Sequence, residues 1–131
     1  MSLVELWQSS REEIEAKRVD QLIAIAGEGQ LRDGSSASSE FRDLLFTVPS
    51  TLLAKYIQDC LEGSFKESGL ALQDIVNQVG RRLGFTVTDG RYRGTHNIPG
   101  YDGIWKSHAG HSIIVEVKTT DAYRIDLNTV A

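Results

Sequence analysis

The period of the apolar residues changes at Leu83-Gly84-Phe85, and no other feature of the chain limits its fold as strongly. Before that point apolar residues recur every three or four positions, as on a helix with one buried face. After it they alternate with polar residues, as on a half-buried strand. Leu72, Ile75, Val76, Val79 and Leu83 line one face of the clearest helix, with Gly84 as its stop and Gly80 as a close-packing position inside it. Downstream, Phe85 and Val87 alternate with Thr residues as far as a turn or bulge at Asp89-Gly90. Residues 94–100 read as a loop, and two β-type runs, 101–106 and 112–118, are joined by the tight connection Ser107-His108-Ala109-Gly110-His111.

Residues 1–64 read as a helical segment. Ser9-Ser10-Arg11-Glu12-Glu13 offers a capping box, followed by Ile14, Val19, Leu22, Ile23 and Ile25 in a loose helical pattern that ends at Gly27-Glu28-Gly29. Residues 33–39 form a polar breaker and read as a loop. Phe41, Leu44, Leu45 and Val48 then fit a short helix stopped by Pro49, which in turn starts the next, marked by Leu52, Leu53, Tyr56, Ile57, Cys60 and Leu61. Ser64-Phe65-Lys66-Glu67 is a second capping box ahead of the strongest helix. The expected class is α/β: a helical N-terminal segment over 1–64, then a core of order αβββ over 65–131.

A single cysteine excludes an intramolecular disulfide, and Cys60 sits at a helical core position, so it reads as a small buried hydrophobe. No apolar run approaches the roughly 20 residues that span a bilayer, and no secretory signal opens the chain, so the expected location is cytoplasmic. The net charge of −4 is unevenly spread. Residues 1–79 hold seven Lys or Arg against 13 Asp or Glu, whereas residues 80–118 hold six against three. The basic share therefore falls in the strand region, where a phosphate backbone would need it.

Folding 101–118 symmetrically about Ala109 pairs each residue with the one that brings the two numbers to a sum of 218. This sets Ile104 opposite Ile114 and Asp102 opposite Glu116. Lys118, two residues beyond Glu116, shares its face, and Tyr101, Trp105, Ile113, Val115 and Val117 form an apolar face for a core. Two carboxylates about 5 Å apart repel by about 3 kcal/mol at an effective dielectric of about 20, so they call for a proton, a cation or a salt bridge. A hard divalent ion suits the Asp102 and Glu116 carboxylates, the Val117 carbonyl and several waters. The competing account is a surface salt bridge, with Lys118 neutralising Glu116 and Asp102 turned to solvent. His108 and His111, three apart on the turn, read as solvent-exposed and have no third ligand nearby.

At these residues the chain resembles the PD-(D/E)XK nuclease superfamily, the restriction endonuclease-like fold. Gly100-Tyr101-Asp102-Gly103-Ile104-Trp105 looks like its first acidic strand, and Ile113-Ile114-Val115-Glu116-Val117-Lys118 like its acid–x–lysine strand. The helix ending in Leu83-Gly84-Phe85 and the continuation over 119–127 are similar to what flanks those strands, so the likeness covers about residues 67–126. It implies a Mg²⁺-dependent (Mn²⁺ substituting), type II restriction-like endonuclease acting on double-stranded DNA. Asp102, Glu116 and Lys118 are then catalytic, with metal held by Asp102, Glu116 and Val117, and a homodimer follows by analogy. Lys118 would orient the water or stabilise the transition state, serving as a base only where its pKa is depressed.

The pattern departs from the family in two ways. Where many members carry a Glu on the helix facing the metal, this chain has Gln73, either an accessory contact to water or phosphate or a solvated helix residue. The family fold also continues into another helix and strand, so the core is expected to be incomplete at its C-terminus. Arg81, Arg82, Arg91, Arg93, His96 and Lys106 are the candidates for contacts to the DNA backbone. The rival expectation is a non-catalytic DNA-binding or dimerisation module on the same fold.

Overall fold

A computed structural model describes residues 1–63, 65–92 and 101–118. The loop expected over 94–100, the continuation over 119–127, the Ser64 end of the second capping box, and Arg93 and His96 lie outside the described residues. Among the described residues the protein is mixed α/β, with six helices and a three-stranded antiparallel sheet. No described helix is long and apolar enough to cross a membrane.

The N-terminal part is helical but more divided than its periodicity suggests. It forms α1 (Leu3–Ser9), α2 (Arg11–Ala16) and α3 (Val19–Ile25). The break between α2 and α3 falls at Lys17 and Arg18, both in extended conformation, and Lys55 Nζ covers the open α2 end by donating to the carbonyls of Glu15 and Lys17. This is how a basic side chain satisfies terminal carbonyls that lack intrahelical partners. Ser10 caps α2 without a side-chain bond, so the first expected capping box does not form.

The polar stretch expected as a loop over 33–39 is in its second half the start of α4 (Ser36–Thr47). Ser35 is its N-cap, accepting from the Ser38 N–H, and the Glu28 carboxylate accepts from the Ser36 hydroxyl and the Ala37 N–H. A serine run is read more easily as a breaker than as a cap, because both uses need the same hydroxyls. Pro49 caps α5 (Ser50–Glu62) as anticipated. Leu52, Leu53, Tyr56 and Cys60 are buried on α5, while Leu61 faces solvent. Burial pushes the Cys60 thiol up to about 12, which leaves it inert as a nucleophile.

The long helix α6 (Ser68–Arg82) joins the two parts. Ala71, Leu72 and Ile75 enter the same hydrophobic core as Leu3, Phe41, Leu44, Leu53 and Tyr56, with Val76 and Val79 partly buried beside it. Leu83, expected on that face, is 68% exposed, because the helix ends at Arg82 and the chain turns away at Gly84, whose φ is +98°.

After α6 come β1 (Thr86–Asp89), β2 (Gly103–Lys106) and β3 (Ser112–Val115), in spatial order β1-β2-β3. The β2–β3 register is Gly103↔Val115, Ile104↔Ile114, Trp105↔Ile113 and Lys106↔Ser112, so each pair sums to 218 as the hairpin reading requires. The strands are shorter than the β-type runs of the sequence. α6 packs on β1 and β2, where Trp105 lies against the Gly80 backbone and its ring centroid is 5.4 Å from that of Phe85. A Cβ at Gly80 would come within 2.5 Å of the Trp105 ring, so the close-packing role of this glycine is met. The expected apolar face is only partly used: Trp105, Val115 and Val117 are half-buried, but Ile113 is 48% exposed on β3, the sheet edge, while α6 packs mainly on β1 and β2.

Candidate metal centre

The ladder between β2 and β3 ends at Gly103, the residue that follows Asp102. The Asp102 N–H donates to the Val115 carbonyl (3.0 Å), although Val115 is the partner of Gly103, so the strand takes a bulge-like step at Asp102. The direct Asp102–Glu116 opposition expected from the symmetric fold is therefore not a ladder pair. The Asp102 side chain instead turns along β3, and its Oδ2 accepts from the Val117 N–H at 2.6 Å. A carboxylate bonded to a peptide N–H is a charge-assisted contact worth about 1.5–3 kcal/mol.

Glu116 and Lys118 flank Val117 and form an ion pair, Lys118 Nζ to Glu116 Oε1 at 2.9 Å, with side chains 68% and 49% exposed. At that exposure the pair contributes roughly 0–1 kcal/mol. Asp102 is half-buried and Val117 is packed against the core, while Glu116 and Lys118 are exposed just past the end of β3. Ile104 and Ile114 occupy the outer face nearby, and Ile114 is 73% exposed. Of the two acids, Asp102 is half-buried and Glu116 is exposed.

The backbone of Asp102 is held from behind. Its carbonyl accepts from the Gly90 N–H (2.9 Å) and from Asn77 Nδ2 (2.8 Å). Asn77 is fully buried on α6 and through Oδ1 also accepts from Trp105 Nε1 (3.0 Å). Gly90 permits the close approach, since a Cβ there would lie 2.0 Å from the Tyr101 carbonyl oxygen. Gln73 is also buried, its Nε2 donating to the Gly90 carbonyl (3.1 Å). It is therefore not a solvated helix residue; its amide holds the end of β1.

The expected DNA contacts fall in different settings. Arg81 pairs with Asp89 (2.6 Å), and Arg82 donates to the carbonyls of Leu45, Phe46 and Val48 and to the Ser50 hydroxyl, binding the α4–α5 junction to α6. Arg91 and Lys106 are exposed, as are His108 and His111 at the hairpin turn.

A second polar cluster escaped the sequence reading. Asp74, with no exposed side-chain surface, accepts from Arg42 Nε (3.1 Å) and from the Tyr92 hydroxyl, and Arg42 lies over the Tyr92 ring. Burial pushes the Asp74 carboxyl up to about 6, against the opposing pull of Arg42 and with a smaller push from Asp89. Gln73, Asp74, Asn77 and Gln78 form a polar stripe on α6 that is indistinguishable in sequence from a solvated face. The distant partners of Gln73, Asp74 and Asn77 make it an internal one.

No protein-family model, curated protein or solved structure matches this chain.

Proposed function

We propose that the chain carries the core of a divalent-metal-dependent endodeoxyribonuclease of restriction endonuclease-like, PD-(D/E)XK type, hydrolysing phosphodiester bonds of double-stranded DNA. One observation carries this reading: the Asp102 carboxylate is bonded to the N–H of Val117, the residue between Glu116 and Lys118. One acid just before β2, and a second acid and a lysine just after β3, thereby lie at the same end of the hairpin.

The donor chemistry fits the ion. The Asp102 and Glu116 carboxylates and the Val117 carbonyl are all hard oxygen donors, the set that Mg²⁺ or Mn²⁺ takes together with waters. Bound there, the ion would supply Lewis acidity toward a phosphate oxygen and acidify an attacking water. Asp102 and Glu116 contribute the negative charge that attracts the cation, and the Val117 N–H fixes the Asp102 carboxylate before any ligand arrives, so little reorganisation is needed. Lys118 swings from its exposed pairing with Glu116 to put positive charge beside the phosphoryl oxygens as negative charge builds there. Exposed Arg91 and Lys106 are the described cations best placed to touch the DNA backbone.

A second reading rests on Gln73, whose amide is spent on the Gly90 carbonyl, so that α6 brings no carboxylate to Asp102 at that position. On that account the domain binds DNA without cutting it. Plasmid nicking in Mg²⁺ or Mn²⁺ separates the two. The nuclease reading expects cleavage by the wild type that Lys118→Ala abolishes while DNA binding survives. Binding with no cleavage by the wild type in either metal supports the rival and ends the nuclease proposal.

A further inference from the structure

We propose that Asn77 is the positioning residue for Asp102, its carboxamide setting where the Asp102 carboxylate sits relative to Val117; this rests on the reading of Asp102 as a metal-binding residue. Asn77 is fully buried and uses both ends of its amide on one short stretch of chain: Nδ2 donates to the Asp102 carbonyl at 2.8 Å, and Oδ1 accepts from Trp105 Nε1 at 3.0 Å. Between those contacts lies Gly103, where a Cβ would come within 2.0 Å of Asn77 Oδ1, so the amide is seated directly against the backbone. An asparagine is suited to this place because it offers a donor and an acceptor together, whereas a carboxylate offers no donor and an aliphatic side chain offers neither.

The position is one link from the site. Asp102 stays in register with β1 through Gly90 but takes a bulge-like step out of the β2–β3 ladder, so regular pairing with β3 does not dictate where its side chain goes. What fixes it is the bond from its N–H to the Val115 carbonyl and the pair of bonds to its own carbonyl, from Asn77 and Gly90, together with the Val117 N–H on its carboxylate. Loss of the Asn77 donor frees the Asp102 peptide to rotate, and the carboxylate then leaves the Val117 N–H. Buried polar groups of this kind hold a functional side chain through a second layer of contacts, and removing them misplaces the group they support.

The test compares substitutions that separate the two ends of the amide, read by NMR of the metal-free full chain. Asn77→Asp keeps an acceptor for Trp105 but loses the donor to Asp102, whereas Trp105→Phe loses the indole N–H and leaves that donor in place. In Asn77→Asp the exchange protection of the Val117 amide is expected to fall about tenfold or more, as a lost hydrogen bond to a carboxylate implies, with the Trp105 indole proton still bonded. In Trp105→Phe the Val117 amide is expected to stay protected. Asn77→Ala, which adds no buried charge, repeats the Val117 result should Asn77→Asp not fold. An unchanged Val117 amide in a folded Asn77 variant, equal loss in Trp105→Phe, or failure of both Asn77 variants to fold overturns the proposal. Mn²⁺ titration of the wild type distinguishes the two failures: no binding there removes the metal reading while the Val117 response still reports on Asn77. With binding, the affinity is expected to drop about tenfold or more in Asn77→Asp, and an undiminished affinity contradicts the positioning role.

Discussion

Asp74 sits where an ionised carboxylate is expensive, with no exposed side-chain surface and with Arg42 from α4, Tyr92 beyond β1 and Asp89 of β1 facing it. Arg42 and the Tyr92 hydroxyl offset the lost hydration in part, but burial dominates and raises the carboxyl from its ordinary 3.8 to about 6. A raised folded-state value means that the unfolded chain releases this proton first as pH rises. The stability contributed by protonated Asp74 is therefore fully present below about 3.8 and is lost as pH climbs through about 6. Compared with Asp74→Asn, which cannot titrate, the wild type is expected to gain stability as pH falls from 7 to 5, read from urea midpoints at each pH. A difference that does not vary over that interval contradicts the assignment. In sequence, Asp74 looks like an ordinary helix-surface acid. Its burial depends on Arg42 and Tyr92, which lie 32 residues before and 18 after it, and no local pattern announces such partners.

The elements were more legible than their ends. The period change at Gly84 separates α6 from β1 as read, and the register of β2 on β3 follows from a tight turn with Gly110 at φ +88°, because a hairpin closed at its tip leaves little freedom of pairing. The end of the β2–β3 pairing did not follow, since Asp102 stays in register with β1 through Gly90 but steps out of register with β3, and Asn77 of α6 holds its carbonyl. The α2–α3 break was hidden as well: Ile14, Val19, Leu22 and Ile23 are all buried, so the apolar pattern runs through the interruption. Arg82 shows how an element-level contact redirects a residue that sequence sign assigns to DNA. Its guanidinium satisfies carbonyls at the α4–α5 junction, so Arg82→Ala is expected to lower unfolding stability by about 1–3 kcal/mol in urea titration through the acceptors left unpaired. Lys106→Ala, at an exposed position, is expected to shift stability by no more than about 0.5 kcal/mol. Equal stability losses for the two would refute this division.

At the scale of the molecule, the helical layer and the sheet are joined by one hydrophobic core, because α6 buries Ala71, Leu72 and Ile75 among residues of α1, α4 and α5 while its other side carries β1 and β2. A polypeptide of residues 65–131 alone would expose that face of α6, and its sheet of three short strands has little apolar surface of its own to bury. It is expected to lack a cooperative thermal transition by circular dichroism, and a sharp transition would show that the helical layer is dispensable for folding. The same architecture explains why the surroundings of Asp102 were not legible along the chain: Glu116, Val117 and Lys118 are consecutive residues just past β3, whereas contacts that hold Asp102 come from α6 and the end of β1. Whether that end of the hairpin holds a hard divalent ion decides the proposed function. Titration of the wild type with Mn²⁺, followed by electron paramagnetic resonance of the free ion, is expected to show saturable binding that Asp102→Ala weakens tenfold or more, about 1.4 kcal/mol. Equal Mn²⁺ uptake by the wild type and Asp102→Ala, or none by either, would contradict it.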